Sequence, residues 1–460
     1  MQPLSQGTMA KNACSQQADN TGVPKVGTST FQAHAPSKSL KPKPRGPSES
    51  LDLDLGSAAR AYFLSSHVIV DSETVARGQY EFLSGFLAGQ QDFDPALYHA
   101  LNAAAFATFG NSHNIVNMLQ KSRVECNLAI QAVNTALQSP ETAAKDSTMI
   151  AAMLIWTFET VTFVYGQDVI ACIDQLSGGM ALLMIRGPQQ LNTRLGFQIF
   201  LQAYFLIASS CIQQEHALPP PSPTLRSYVQ PYLDACDYSW RILDLMARFA
   251  DLLDSLKNPS HQFLDGSLRI ISVATKLDDD FHAVSSCLPL NWQYQTFHCS
   301  DTALVYNGIY HIYHDAWVIR YWNYIRVCRI RLQRIILDNS SHVLDTLSQQ
   351  YQTRATTIAQ LSTDICATVP QHAGYLRLLQ PQPMGSQSSL THTVSAQREA
   401  GAYTAGIYYL LYPLFAIGRT KSTPIQQREW IINRLECLGR ISGISQAFAA
   451  ADTIKFDDSL

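Results

Sequence analysis

WVIRYWNYIRVCRIRLQRIIL, residues 317–337, decides the class of fold. Wound at helical pitch, it puts Trp317, Tyr321, Tyr324, Cys328, Leu332 and Ile335 on one broad apolar stripe. Arg320, Arg326, Arg329, Arg331 and Arg334 fall on the two flanks, and no acid follows until Asp338. Interleaved arginines and aromatics also suit nucleic acid. A core helix whose edges pair with carboxylates of neighbouring helices accounts for the pattern better.

The same period continues outward. Ala58–Leu64 follows a possible capping Ser57, and 95–109 is Ala-rich with Pro95 suited to a first turn. Further helices are predicted over 113–138, 148–165 (opened by Asp146 or Ser147, stopped at Gly166), 168–186 and 194–214. Others follow over 225–256, 262–288, 301–338, 342–368, 396–417 and 425–451. Strand-like alternation is scarce and no βαβ unit is visible. The expected fold is all-α: one large helical domain over 57–453, with loops near 216–225 and 380–395 and a flexible tail at 454–460. The uncharged run 400–418 approaches the ~20 residues that span a bilayer. It contains Gly401, Thr404, Gly406 and Pro413, and 196–212 carries Gln198 and Gln202, so both read as buried core helices and no membrane is expected.

The chain has 460 residues, 46% hydrophobic and 15% charged, enough for a sizeable core. The net charge of −3 argues against gripping nucleic acid with the whole surface. Residues 1–56 differ in composition, being rich in Ser, Thr, Gln, Pro and Gly, and read as a disordered basic arm. Up to Pro47 the arm has six basic residues and one acid, net +5, which leaves −8 for the rest. Its cluster Lys38, Lys41, Lys43 and Arg45 has the form of a nuclear-import signal or a weak DNA-contacting tail. The start, MQPLSQGTMAKNACSQQ, shows no apolar signal region. No two of the ten cysteines are closer than twelve positions, which argues against zinc fingers, clusters and dithiols. Most are expected as reduced, buried thiols.

Two constellations invite chemistry. Asp278-Asp279-Asp280, followed by Phe281-His282, is the acidic run an all-α magnesium-dependent terpenoid cyclase would need. His282 stands where a further acid is required and no second magnesium motif follows, so a solvated helix turn is the plainer reading. His298, Cys299, His311, His314 and Asp315 form a second group. On a helix His311 and His314 would share a face, but two histidines make no metal site and the neighbouring tyrosines suggest a half-buried surface. Phosphate loops, nucleophile elbows and zinc-protease motifs are absent. No catalytic residue, metal or cofactor is therefore expected, and the chain reads as a non-enzyme.

Several ordered segments resemble one family. LSGGMALLMIRGPQQL (176–191) closely resembles a segment of the middle regulatory region of fungal zinc-cluster transcription factors. Tyr80-Glu81-Phe82-Leu83, the Ala-rich 96–109 and TMIAAMLIWTFET (148–160) are similar to its opening elements. Leu277-Asp278 through Leu288-Pro289, Trp292-Gln293-Tyr294 and Trp322-Asn323-Tyr324…Arg329-Ile330 resemble later steps. Leu410-Leu411-Tyr412-Pro413-Leu414 and Trp430…Gly443-Ile444-Ser445-Gln446-Ala447 fit the end. The resemblance spans about 57–453 and implies a nuclear, all-α regulator, often of a biosynthetic gene cluster. The family's six-cysteine cluster has no counterpart, since Cys14 is the only cysteine before Cys126. Direct sequence-specific DNA binding is thus not expected of this chain. Either the cluster lies on an upstream exon, or the chain is a co-regulator working through a DNA-binding protein or the transcription machinery, as a homo- or hetero-dimer. A helical scaffold without a transcriptional role is the third reading, beside the cyclase.

Overall fold

The chain is built of helices laid on helices. The structure is a computed structural model. It describes residues 54–68, 80–89, 94–162, 173–220, 222–232, 238–257, 266–300, 303–314, 317–340, 349–379 and 403–457. The arm with Lys38, Lys41, Lys43 and Arg45, the stop at Gly166 and the Pro-rich 380–392 lie outside the described residues.

α1 (Leu55–His67) and α2 (Glu81–Ala88) precede the Ala-rich α3 (Pro95–His113). Asp94 caps α3 by accepting from the Ala96 N–H at 3.0 Å, and Pro95 takes the first turn, where a missing N–H costs nothing. The fully buried Ala100, Ala103, Ala104, Ala105 and Ala107 let α4 (Val116–Ala136) and α6 (Asp146–Val161) approach closely. A short α5 (Pro140–Ala143) sits between those two. α7 (Ile173–Arg186) ends at Gly187, whose φ of 64° lies in the left-handed region, and Pro188 opens the 3₁₀ turn that leads to α8 (Arg194–Gln214). That is the physical content of the Arg-Gly-Pro stop. α8 is long and apolar enough to cross a membrane by length and composition, but 78% of its apolar window is buried inside the protein.

α9 (Ser222–Val229), α10 (Tyr238–Lys257) and α11 (Ser267–Ser286) follow. The single helix expected over 225–256 is therefore broken, at Pro231, which has no N–H to donate. A second correction is larger. Instead of one helix over 301–338, β1 (Tyr294–His298) and β2 (Ile309–Tyr313) pair antiparallel, from Tyr294 opposite Tyr313 to His298 opposite Ile309. Asn307 (φ 54°) and Gly308 (φ 71°) turn the chain into β2. α12 (Val318–Ser340) begins only after this hairpin.

α13 (Gln349–Ala367), short α14 (Val369–His372) and α15 (Leu376–Leu379), and α16 (Tyr403–Gly418) come next. The expected 425–451 helix is two helices, α17 (Ile425–Ser442) and α18 (Ser445–Lys455), split at Gly443 with φ 70°. A Cβ on Gly443 would lie 2.7 Å from the Ser112 nitrogen, so the end of α17 meets α3 too closely for any side chain.

Two large apolar clusters meet along α12. Tyr321, Tyr324, Cys328, Leu332 and Ile336 join α3, α6, α8, α10 and α11 in the first. Val327, Ile330 and Leu337 join α13, α16, α17 and α18 in the second. α12 thus buries two faces rather than one stripe.

Candidate functional site

The five arginines of α12 divide by position. Arg329 donates from Nε to Asp278 Oδ1 at 2.9 Å, Arg331 pairs with Glu215, and Arg334 reaches Asp338 at 3.3 Å. These behave as flank residues. Arg320 and Arg326 do not: they are 2% and 1% exposed, and among the described residues neither meets a carboxylate within ion-pair distance. Arg320 donates to the Tyr409 hydroxyl at 2.9 Å and lies 4.8 Å from the Phe205 ring centre. Arg326 donates to the Tyr313 hydroxyl at 2.8 Å, with Tyr294 at 5.1 Å and Trp322 at 5.2 Å. Aromatic faces and phenol oxygens replace carboxylates as the partners of these charges.

The aspartate run is not one solvated turn. Asp278 is 6% exposed; it takes Arg329 on one oxygen and the Gln333 amide, at 2.7 Å, on the other. Asp280 binds Arg248 at 3.0 Å and Lys276 at 3.5 Å. Asp279 and His282 are exposed. Successive helical residues point about 100° apart, so the three carboxylates diverge rather than converge on one ion.

The histidine group is also rearranged by the hairpin. His311 lies on β2 and His314 just beyond it, so the two do not share a helix face; His298 is exposed at the end of β1. Cys299 is half-buried, and Asp315 is outside the described residues. His311 stacks on Tyr294 at 4.2 Å, and its Nδ1 has no hydrogen-bond partner among the described residues. Burial, with Arg326 nearby, pulls its pKa down to about 3, so the ring is neutral near pH 7. Among the described residues no group of three or more His, Cys, Asp or Glu is placed to hold a metal ion. Of the cysteines, Cys126, Cys211, Cys328 and Cys366 are buried free thiols; Cys287 is exposed and Cys437 half-buried.

What the structure brings together is a groove of about 350 Å³. Gln333 of α12 forms its floor beside Asp278; Thr275 and Asp279 of α11 stand on one wall, Thr353 and Arg354 of α13 on the other. Arg354 Nη1 donates to Gln333 Oε1 at 2.8 Å, Gln333 Nε2 donates to Asp278, and Asp278 holds Arg329. This chain of bonds fixes the floor and one wall. The described lining residues are all polar, so the groove offers hydrogen-bonding partners to a small molecule. Gln333 and Arg354 carry no motif and sit far from Asp278 in sequence, and nothing in the linear pattern singles them out. No family model, curated protein or solved structure matches the chain.

Proposed function

We propose that the chain is a non-enzymatic transcriptional regulator or co-regulator of the fungal zinc-cluster type. It acts in the nucleus, on a biosynthetic gene cluster, through its helical unit and a protein partner. One observation supports the reading most: segments chosen separately for their resemblance are bonded to one another. Tyr80 donates its hydroxyl to the Met153 carbonyl of 148–160 at 2.9 Å. Trp322 Nε1 donates to the Trp292 carbonyl at 2.7 Å. Arg329 holds Asp278 at 2.9 Å.

The arm supplies import through Lys38, Lys41, Lys43 and Arg45, and sequence-specific DNA contact comes from a zinc cluster outside these 460 residues, encoded upstream or carried by the partner. A fluorescent fusion is expected in the nucleus, and the variant with all four replaced by Ala is expected in the cytoplasm. Deletion is expected to change transcription of a gene cluster, and affinity purification to bring down a zinc-cluster protein. Exclusion from the nucleus under all conditions, with unaltered transcription on deletion, overturns the reading. The cyclase alternative is weakened because Asp278 and Asp280 already hold cations of this chain. Purified protein given magnesium and prenyl diphosphates is expected to show no turnover.

A further inference from the structure

We propose that the groove over Gln333 binds an amino-acid-sized zwitterion, with the ligand carboxylate on Arg354 and its ammonium group on Asp279. The inference goes beyond the transcriptional reading and stands without it. Arg354 has five N–H donors, and its one bond within the described residues is from Nη1 to Gln333 Oε1. The relay through Gln333 to the buried Asp278 holds this guanidinium in place, and its other donors remain for a ligand. A planar fork of this kind matches a carboxylate in two-point geometry. On the opposite wall Asp279 is exposed and, among the described residues, has no cation partner of its own. Both side chains line the same groove, yet no ion pair joins them, because α11 and α13 stand on either side of α12. A cation and an anion held apart across a polar floor are complementary to a molecule whose adjacent carboxylate and ammonium groups face opposite walls, as the two groups on the α-carbon of an amino acid do.

The remaining lining refines the class. Gln349 and Gln350 offer side-chain amides and Thr353 a hydroxyl oxygen, so the ligand's own side chain is polar and hydrogen-bonding. The volume of about 350 Å³ is at the small end of the range for ligand sites, roughly 300–1,000 Å³. The location gives binding a consequence. The inner face of α11 (Ala274, Leu277, Phe281) belongs to one apolar cluster and that of α13 (Ile358, Leu361, Ile365) to the other. A molecule bridging the walls ties the two clusters together and stabilises the whole unit.

The test is calorimetric titration and thermal unfolding of the full chain with L-glutamine as probe, and sodium acetate and methylammonium chloride as half-probes. Saturable one-to-one binding of L-glutamine is expected, with a raised Tm and at least about tenfold weaker binding of either half-probe. D279N and R354Q are each expected to weaken L-glutamine at least about tenfold. Asp279 is exposed and, among the described residues, makes no side-chain hydrogen bond or ion pair, so D279N keeps the test meaningful even where R354Q lowers the unliganded Tm. Absence of saturable binding, acetate binding as tightly as L-glutamine, or undiminished affinity in D279N overturns the proposal.

Discussion

Asp278 and Asp280 lie two positions apart and carry very different burdens. Asp278 is buried and satisfies both Arg329 and Gln333, so D278A strands a largely buried guanidinium and an amide. A loss of about 3–5 kcal/mol in urea unfolding is expected. Asp280 holds its partners at a part-exposed site, and D280A is expected to cost within about 1 kcal/mol. Equal losses would mean that burial does not separate the two. The buried histidines set the response to acid. Burial alone pulls His67 and His372 down to about 3, and burial with Arg326 does the same to His311. An unfolded imidazole titrates near pH 6.5, so below that value the unfolded chain takes up protons that the folded chain refuses. Stability is therefore full above pH ~6.5 and falls as pH drops toward 3, by about 2 kcal/mol per histidine at pH 5. Both ring nitrogens of His372 lack hydrogen-bond partners among the described residues, so H372M is expected to be tolerated at pH 7. The loss between pH 7 and 5 should shrink by about 2 kcal/mol in that variant, read from urea unfolding at the two pH values.

At the scale of elements, close approach decides more than helix propensity. A Cβ on Gly196 would sit 2.0 Å from the Gln190 carbonyl oxygen, whereas one on Gly179 would meet Ile207 at an ordinary 3.4 Å. G196A is expected to lose at least about 2–3 kcal/mol by forcing the 3₁₀ turn off α8. G179A is expected to be neutral or to gain up to about 1 kcal/mol, since it removes backbone freedom in mid-helix. Thermal melts of the two variants check the contrast. The hairpin is the other informative element. A lone two-stranded ribbon is marginal in water, and this one is held by Gln371, which accepts from the Tyr313 N–H at 2.8 Å and donates to its carbonyl at 3.0 Å. Q371A is expected to speed hydrogen exchange across 294–313 by about tenfold or more with little change in α12. Unaltered exchange would place the anchor in the aromatic contacts alone. Its strands were legible in principle: YQTFH and IYHIY are rich in aromatic and β-branched residues, and Asn307-Gly308 is a turn signal. The helical spacing of the tyrosines on either side of it masked that signal.

For the whole molecule, α12 lends one face to each large cluster, so neither cluster closes without it. One calorimetric unfolding transition is expected for the unit Gly56–Leu460, and L332A, on the face toward the first cluster, should lower it as a whole. Two resolved transitions, only one of them moved, would show that the clusters fold separately. The linear chain by itself determined the class: apolar residues recurring at helical pitch, capping at Asp94-Pro95 and the stop at Arg186-Gly187-Pro188 are local properties, set within a few residues of each other. Which apolar face met which partner was not local. Arg320 and Arg326 read as flank residues because a single helical wheel has one inside, whereas packing from both sides gave α12 two. The same holds for the groove, where Asp279, Gln333 and Arg354 are brought together by three helices crossing. Only tertiary structure decides such a meeting, because it depends on long-range packing that no short window of sequence contains.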